Sequence, residues 1–262
     1  IAISQVGTRA WFYDEPASDL TSIGIHVTDT YDSVIHVPHC YGFGEAGLKM
    51  GGGTSTGVAY NTVYLGQFYD NKKHLHILGY AEGGFSNQNN YMGGRLAHSS
   101  NVPVNFPGSR VIQIDNGCNT NLFNNVCMEA HTTAHAEFAI LCAGSDNMWV
   151  SGRYEQSGTV KFTSTSTYNF MIGGYQMFGQ DENSLSGELD IINEGHANTI
   201  IGAYGMTIAS NSGNYGPAAN LNLVTDGSDS TTHLIARNAA GDKAMAIQGR
   251  TLQIRDAGGV VR

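Results

Sequence analysis

Hydrophobic and polar positions along this chain recur in blocks, not at helical spacing. Each block opens with a polar residue and continues through apolar or aromatic residues. A small residue, often Gly, falls near its fifth or sixth position. The copies are NTVYLGQFY from Asn61, NYMGGRLAH from Asn90, NLFNNVCME from Asn121, NMWVSGRYE from Asn147, NFMIGGYQM from Asn169 and NTIIGAYGM from Asn198. DSVIHVPHC from Asp32 is an earlier copy with Asp in place of Asn. The starts are 29, 29, 31, 26, 22 and 29 residues apart. Short strand-like stretches such as GIHVTD, VIQIDNG, VKFTSTS and LDIINEG lie upstream. Alternation of apolar and polar residues in the last two argues for strand. The repeating unit is strand, tight Asn turn, strand, loop.

Units of this length built from short strands predict a solenoid. Strands that return after one unit stack in parallel, so the expected fold is all-β, a parallel β-helix. Crossover preference makes it right-handed. Asn has two reasons to recur at the bend. It tolerates the left-handed backbone conformation, and its amide can bond to the Asn one rung away. Asn61, Asn90, Asn121, Asn147, Asn169 and Asn198 are therefore expected at equivalent turns. Unequal spacings imply loops of varying length on one face, often the binding face. The expected organisation is an incomplete N-terminal rung with a loop (1–22), the β-helix (23–206) and a small irregular β-rich C-terminal element (207–262). Asn220 is a weak eighth start, and the C-terminal element is a candidate intersubunit piece.

Composition narrows the function. The chain has 262 residues, 41% hydrophobic and 13% charged, with 34 Gly and 5 Pro. No run reaches the roughly 18 apolar residues of a membrane span. Net charge is −9, with 13 Lys and Arg in all and no cluster of them. Nucleic acid and anionic membrane surfaces are disfavoured as partners, and a neutral ligand is easier to reconcile with this balance. Cys40, Cys118, Cys127 and Cys142 are too few for a disulfide scaffold and form no CxxC pair. They read as buried free thiols. KMGGGTSTG (49–57) lacks the order of a phosphate loop. No cofactor and no metal are expected. The start at Ile1 and the end at Gly-Gly-Val-Val-Arg262 read as a piece of a longer polypeptide.

The segments GIHVTDTYDSVIHV, YNTVYLGQFYDNKKHLHIL, NNYMGGRLA and DNMWVSGRYE resemble the parallel β-helix of bacteriophage tailspikes, a fold similar to that of pectate lyases. The resemblance covers about residues 23–206 and rests on rung pattern and Asn turns. It implies a homotrimer in a virion tail, or otherwise extracellular, that binds and cleaves a bacterial surface polysaccharide, capsule or lipopolysaccharide. Hydrolases and lyases both occur on this scaffold, so fold does not select the reaction.

Aligning the copies at their first residue gives a ninth-position column of Cys40, Tyr69, His98, Glu129, Glu155, Met177 and Met206. Its polar part, His98, Glu129 and Glu155, falls on consecutive rungs. Parallel strands lie about 4.8 Å apart, close to the roughly 5 Å between the carboxyl groups of a retaining glycosidase. Two solvated surface glutamates, or a pair held by Arg153, is the plainer alternative. His131 and His135, in HTTAHAE after the Glu129 rung, are candidate general bases or glycan contacts. A lyase would use Arg153 to neutralise a uronate, with Tyr154 and a His moving protons. Arg95 and Arg153 are candidate substrate-binding residues. Tyr69 and Tyr175 are candidate stacking platforms for sugar rings, whereas Trp149 reads as core. The expected function is glycoside hydrolysis by paired carboxylates, with a polysaccharide lyase or a non-catalytic glycan-binding adhesin as alternatives.

Overall fold

The computed structural model describes residues 6–7, 21–52, 57–79, 84–98, 108–129, 137–155, 159–172, 190–202 and 205–207. All of them lie in the compact unit Ile1–Asn214. The described residues are all-β, without a helix, and their parallel sheets stack as a β-solenoid.

Each turn of the chain visits three sheets. One turn runs through Ala46–Met50, Val58–Ala59 and Thr62–Tyr69. The first strand joins a seven-stranded sheet B, the second a three-stranded sheet C and the third a twelve-stranded sheet A. Above Asn87 the sheet C strand shrinks to single bridges, Asn119–Ser145, Ser145–Thr167 and Thr167–His196. Sheet A carries, level by level, Val34–Tyr41, Thr62–Tyr69, Asn90–Met92 with Arg95–Ala97, Leu122–Asn124 with Cys127–Glu129, Met148–Val150 with Tyr154–Glu155, Phe170–Ile172 and Thr199–Gly202. The kink that divides the middle strands falls at Gly93–Gly94, Asn125 and Ser151–Gly152, all at positive φ. That is the physical role of the residue at this position in those three repeats. At the unbroken level, Gly66 has no room for a side chain, because a Cβ would strike the Pro38 carbonyl.

The core is built from the alternate positions of these strands. Ile35, Val63, Tyr91, Phe123, Trp149, Met171 and Ile200 form one inward column, all buried. Tyr91, Phe123 and Trp149 stack face to face at 4.8 and 5.1 Å between centroids. Cys40, Phe68, Leu96, Met128 and Tyr154 form a second inward column. Each such side chain contributes about 1.5–3 kcal/mol of hydrophobic stabilisation.

The Asn ladder exists, with a register that corrects the expected one. Asn61, Asn89, Asn121, Asn147, Asn169 and Asn198 are buried and joined by Nδ2-to-Oδ1 bonds of 2.9–3.2 Å. The second member is Asn89, not Asn90. Asn90 is the first strand residue and pairs with Thr62 and Leu122. Likewise the rung assigned to Asp32 starts at Ser33, whose N–H donates to Asn61 Oδ1. The ladder residues themselves are not left-handed. That conformation belongs to the residue before each one: Asp32, Tyr60, Gln88, Thr120, Asp146, Tyr168 and Ala197, at φ between 47° and 62°. The bend and the ladder are thus served by two adjacent residues. The last copy also departs from the pattern. Gly205–Thr207, which contains Met206, folds back antiparallel on Thr199–Gly202. The expected N-terminal rung and C-terminal element lie almost wholly outside the described residues, as does Asn220.

Candidate functional site

Register decides which residues stand level with one another on sheet A. Tyr41, Tyr69, Ala97, Glu129 and Glu155 are consecutive backbone partners. The one-residue shift at Asn89 puts Ala97 where the sequence alignment puts His98, and the shift from Asp32 to Ser33 puts Tyr41 where it puts Cys40. His98 therefore leaves the carboxylate column. It is buried in the interior, beside the His74 ring at 4.4 Å, with Nε2 bonded to the Asn71 carbonyl at 2.8 Å. Cys40 is buried too, and burial pushes its thiol up to about 12.

Glu129 and Glu155 are register partners on adjacent strands, as the spacing predicts. Glu129 is engaged: Arg95 Nε and Nη2 both donate to its Oε2, at 2.7 and 2.6 Å. Its Oε1 receives no hydrogen bond among the described residues. Arg95 also donates through Nη1 to the Tyr69 hydroxyl, and its guanidinium lies 5.2 Å from the centre of that ring. Ala97, the small residue between Tyr69 and Glu129, leaves the space that Arg95 spans. His39 lies next to Tyr41 and Tyr69, at 5.2 and 6.2 Å between ring centroids. The result is a polar and aromatic strip across the end of sheet A from which the chain leaves for the segments 98–109, 130–137 and 156–158.

A second strip runs beside it. His39, Gln67, Arg95 and Cys127 are register partners, and Arg153 stands level with Cys127. A cleft of about 120 Å³ is lined by Arg95, Cys127, Met128, Glu129 and Arg153. Cys127 is the exception among the cysteines, being only half-buried, whereas Cys118 and Cys142 are core residues.

Tyr154 sits in the interior, with its hydroxyl donating to the Ser151 carbonyl at 3.2 Å. Burial raises its pKa, so it holds its proton. His131, His135 and Tyr175 lie outside the described residues. Sequence reasoning missed Tyr41, His39, Gln67 and Cys127. Starting the first and third copies at Ser33 and Asn89 brings Tyr41 into the column, and the seventh position then supplies His39, Gln67 and Cys127.

A second polar group lies on sheet B, away from this strip. His76 Nε2 pairs with Asp115 Oδ2 at 3.0 Å, and Gln113 donates to Asp115 Oδ1 at 2.8 Å. Burial works against the Asp115 charge, but these two hydrogen bonds and the nearby Lys73 hold its pKa below the usual range. His74 and His76, which alternate along one strand, are both buried. Among the described residues no group of three or more metal-ligating side chains gathers.

No family model, no curated protein and no solved structure matches this chain.

Proposed function

We propose that the outer face of sheet A binds a bacterial surface polysaccharide and hydrolyses it with Glu129 and Glu155. The observation that carries this reading is the pairing of these two residues on adjacent strands. Strand spacing of about 4.8 Å suits a retaining mechanism. Glu129 is cast as the nucleophile, since Arg95 orients its Oε2 and its Oε1 is directed by that contact. It attacks the anomeric carbon while Glu155 passes a proton to the departing glycosidic oxygen. Water, deprotonated by Glu155, then releases the sugar from Glu129. Tyr69, His39 and Tyr41 offer ring faces and polar edges to neighbouring sugars.

Digestion of a panel of capsular and lipopolysaccharide glycans, with product masses, tests this. Hydrolysis yields new reducing ends, products heavier by water, and no rise in absorbance near 230 nm. Unsaturated products absorbing there would replace it with the lyase reading. The interior position of Tyr154 removes one proton carrier that a lyase would need. A glycan-binding adhesin is the second reading, and the Arg95–Glu129 ion pair favours it by occupying a carboxylate that catalysis must use. Binding without any product would support it.

The working form is proposed as a homotrimer on a virion tail. Val34, Tyr64 and Met148 leave apolar surface exposed on the same sheet face, which neighbouring copies would cover. Sedimentation of the intact protein at three times the chain mass is the expected result; a monomer would contradict it.

A further inference from the structure

We infer that Asn116–Gly117 is a self-modification site, where the Gly117 backbone nitrogen attacks the Asn116 side chain and the residue becomes isoaspartate or aspartate. This does not rest on the glycan reading.

The sequence holds one Asn-Gly pair, at 116–117. It lies in the turn that leads from the sheet B strand Arg110–Ile114 to the corner at Asn119. The Cys118 N–H closes this turn on the Asp115 carbonyl at 3.3 Å. Gly117 stands at φ 90°, close to what a type II turn demands of its third residue, and Gly adopts it without strain. Two rungs on, the turn Thr163–Ser166 closes in the same way at 3.0 Å, with Ser164 and Thr165 in its middle. Turning this corner therefore does not require an Asn-Gly pair.

Three local conditions favour the reaction. Asn116 is exposed, so water and hydroxide reach it. Among the described residues neither its side chain nor the Gly117 N–H has a hydrogen-bond partner. Gly117 has no Cβ to hinder the approach of its nitrogen to the Asn116 Cγ. The ladder asparagines lack all three conditions. They are buried, and their amides are bonded to one another. The N–H that follows each, on Thr62, Asn90, Leu122, Met148, Phe170 and Thr199, is bonded to a neighbouring rung.

Hydroxide removes the Gly117 amide proton, and the nitrogen bonds to the Asn116 Cγ to close a succinimide ring. The Cγ–Nδ2 bond breaks, and Nδ2 takes up a proton and leaves as ammonia. Water then opens the ring at either carbonyl, giving aspartate from one and isoaspartate from the other. Nothing is oxidised or reduced. A nucleophile held beside its target within one chain reacts without the cost of bringing two molecules together.

The product disturbs its surroundings in two ways. It places a new carboxylate next to Asp115, whose own charge is already held by His76 and Gln113. Like charges so close oppose each other. Isoaspartate also inserts a methylene into the backbone, and the turn has no slack for it. A Cβ on Gly79 would lie 1.7 Å from the Asn116 carbonyl oxygen, so the turn is packed on the backbone of the rung below. The residues that follow are tied to that rung: Cys118 Sγ–H donates to the Ile77 carbonyl at 3.5 Å, and the Asn119 N–H donates to Asn87 Oδ1 at 2.9 Å. Modification thus loosens the corner between sheets B and C and acts as a slow, one-way timer on the fold.

The test ages the intact protein at 37 °C, at pH 6 and pH 9, folded and in urea, and follows each asparagine by peptide mass mapping. In the folded protein Asn116 should convert before every other asparagine, at least tenfold faster at pH 9 than at pH 6. The aged protein should unfold at a lower urea concentration than fresh protein. Asn116→Gln keeps an amide but would need a larger ring, so it should abolish the conversion and hold its urea midpoint on ageing. Conversion of Asn116 at least tenfold slower in the folded protein than in urea would show that the turn protects the pair, and would overturn the site. Another asparagine converting first in the folded protein would overturn it as well. Conversion with an unchanged urea midpoint would overturn the timer and leave the modification site standing.

Discussion

Glu129 and Glu155 are backbone partners across two adjacent strands of sheet A, and Arg95 grips the first of them through two N–H groups. A carboxylate so held is oriented by a neighbour and remains half-exposed to solvent. If the pair performs hydrolysis, Glu129→Gln and Glu155→Gln should each lower turnover of a cleaved glycan by about 10²- to 10⁴-fold. The urea midpoint should stay unchanged, because the Arg95–Glu129 ion pair is exposed and worth at most about 1 kcal/mol. Steady-state release of reducing ends measures the first effect and urea unfolding the second. Parental rates in both variants would make the pair structural.

The ladder makes a stability prediction that separates Asn89 from Asn90. Asn89 accepts at Oδ1 from the backbone and side chain of Asn61, and its Nδ2 donates to the Val58 carbonyl and Ser86. Asn89→Ala should cost about 3 kcal/mol or more, because it strands several buried polar groups at about 1–3 kcal/mol each. Asn90→Ala removes a side-chain oxygen that is buried without a partner. Its effect should lie within about 0.5 kcal/mol. Urea midpoints of the two variants decide it, and the reverse order would restore Asn90 to the ladder.

This pair also shows how much the sequence reveals. The recurrence of Asn with apolar residues behind it gives the solenoid, its parallel strands and the inward Trp149. It does not resolve NQNN at 87–90, where two Asn residues compete for one corner. A slip of one residue turns every following side chain to the other face. That slip moves His98 from the outer face into the core, and the separate start of the first copy at Asp32 instead of Ser33 hides Tyr41. The Glu129–Glu155 pair is legible because both rungs start at an unambiguous Asn. The grip of Arg95 on Glu129 is not, since it depends on Ala97 being small between them.

The bends hold side chains that fit them poorly. Thr120 is β-branched and sits at φ 56°, exposed. Left-handed backbone costs a non-Gly residue roughly 1–2 kcal/mol, and Asn bears it better. Thr120→Asn should raise stability by about 0.5–1 kcal/mol, read as a higher thermal midpoint. A lower midpoint would mean that the Thr120 side chain contributes contacts that outweigh the strain.

Acid should destabilise the fold through His74. The Asn71 amide donates to His74 Nδ1 at 3.1 Å, while Asn71 Oδ1 accepts from the Phe43 N–H. The imidazole is therefore neutral with its proton on Nε2. Burial pushes its pKa well below the usual value, and the adjacent His98 pushes the same way. The unfolded chain gains a proton near pH 6.5 that the folded chain refuses. Stability is therefore complete above that pH and falls as pH drops below it, by at most about 1.4 kcal/mol per unit for one proton. Urea midpoints between pH 7 and 5 should decline accordingly, and His74→Gln should flatten the decline even with a lower plateau. An unchanged slope in the variant would assign the acid sensitivity to other groups.

The central claim is that glycan lies on the outer face of sheet A, and Cys127 reports on it directly. It is the only half-buried cysteine among the described residues; Cys40, Cys118 and Cys142 are buried, and burial raises all three thiols. A maleimide should therefore label Cys127 first in the native protein, as peptide mass mapping would show. With a polysaccharide from the panel at saturating concentration, the labelling rate of Cys127 should fall at least tenfold and recover when the glycan is removed. An unchanged rate under a glycan that calorimetry shows to be bound would place the binding surface elsewhere and contradict the account.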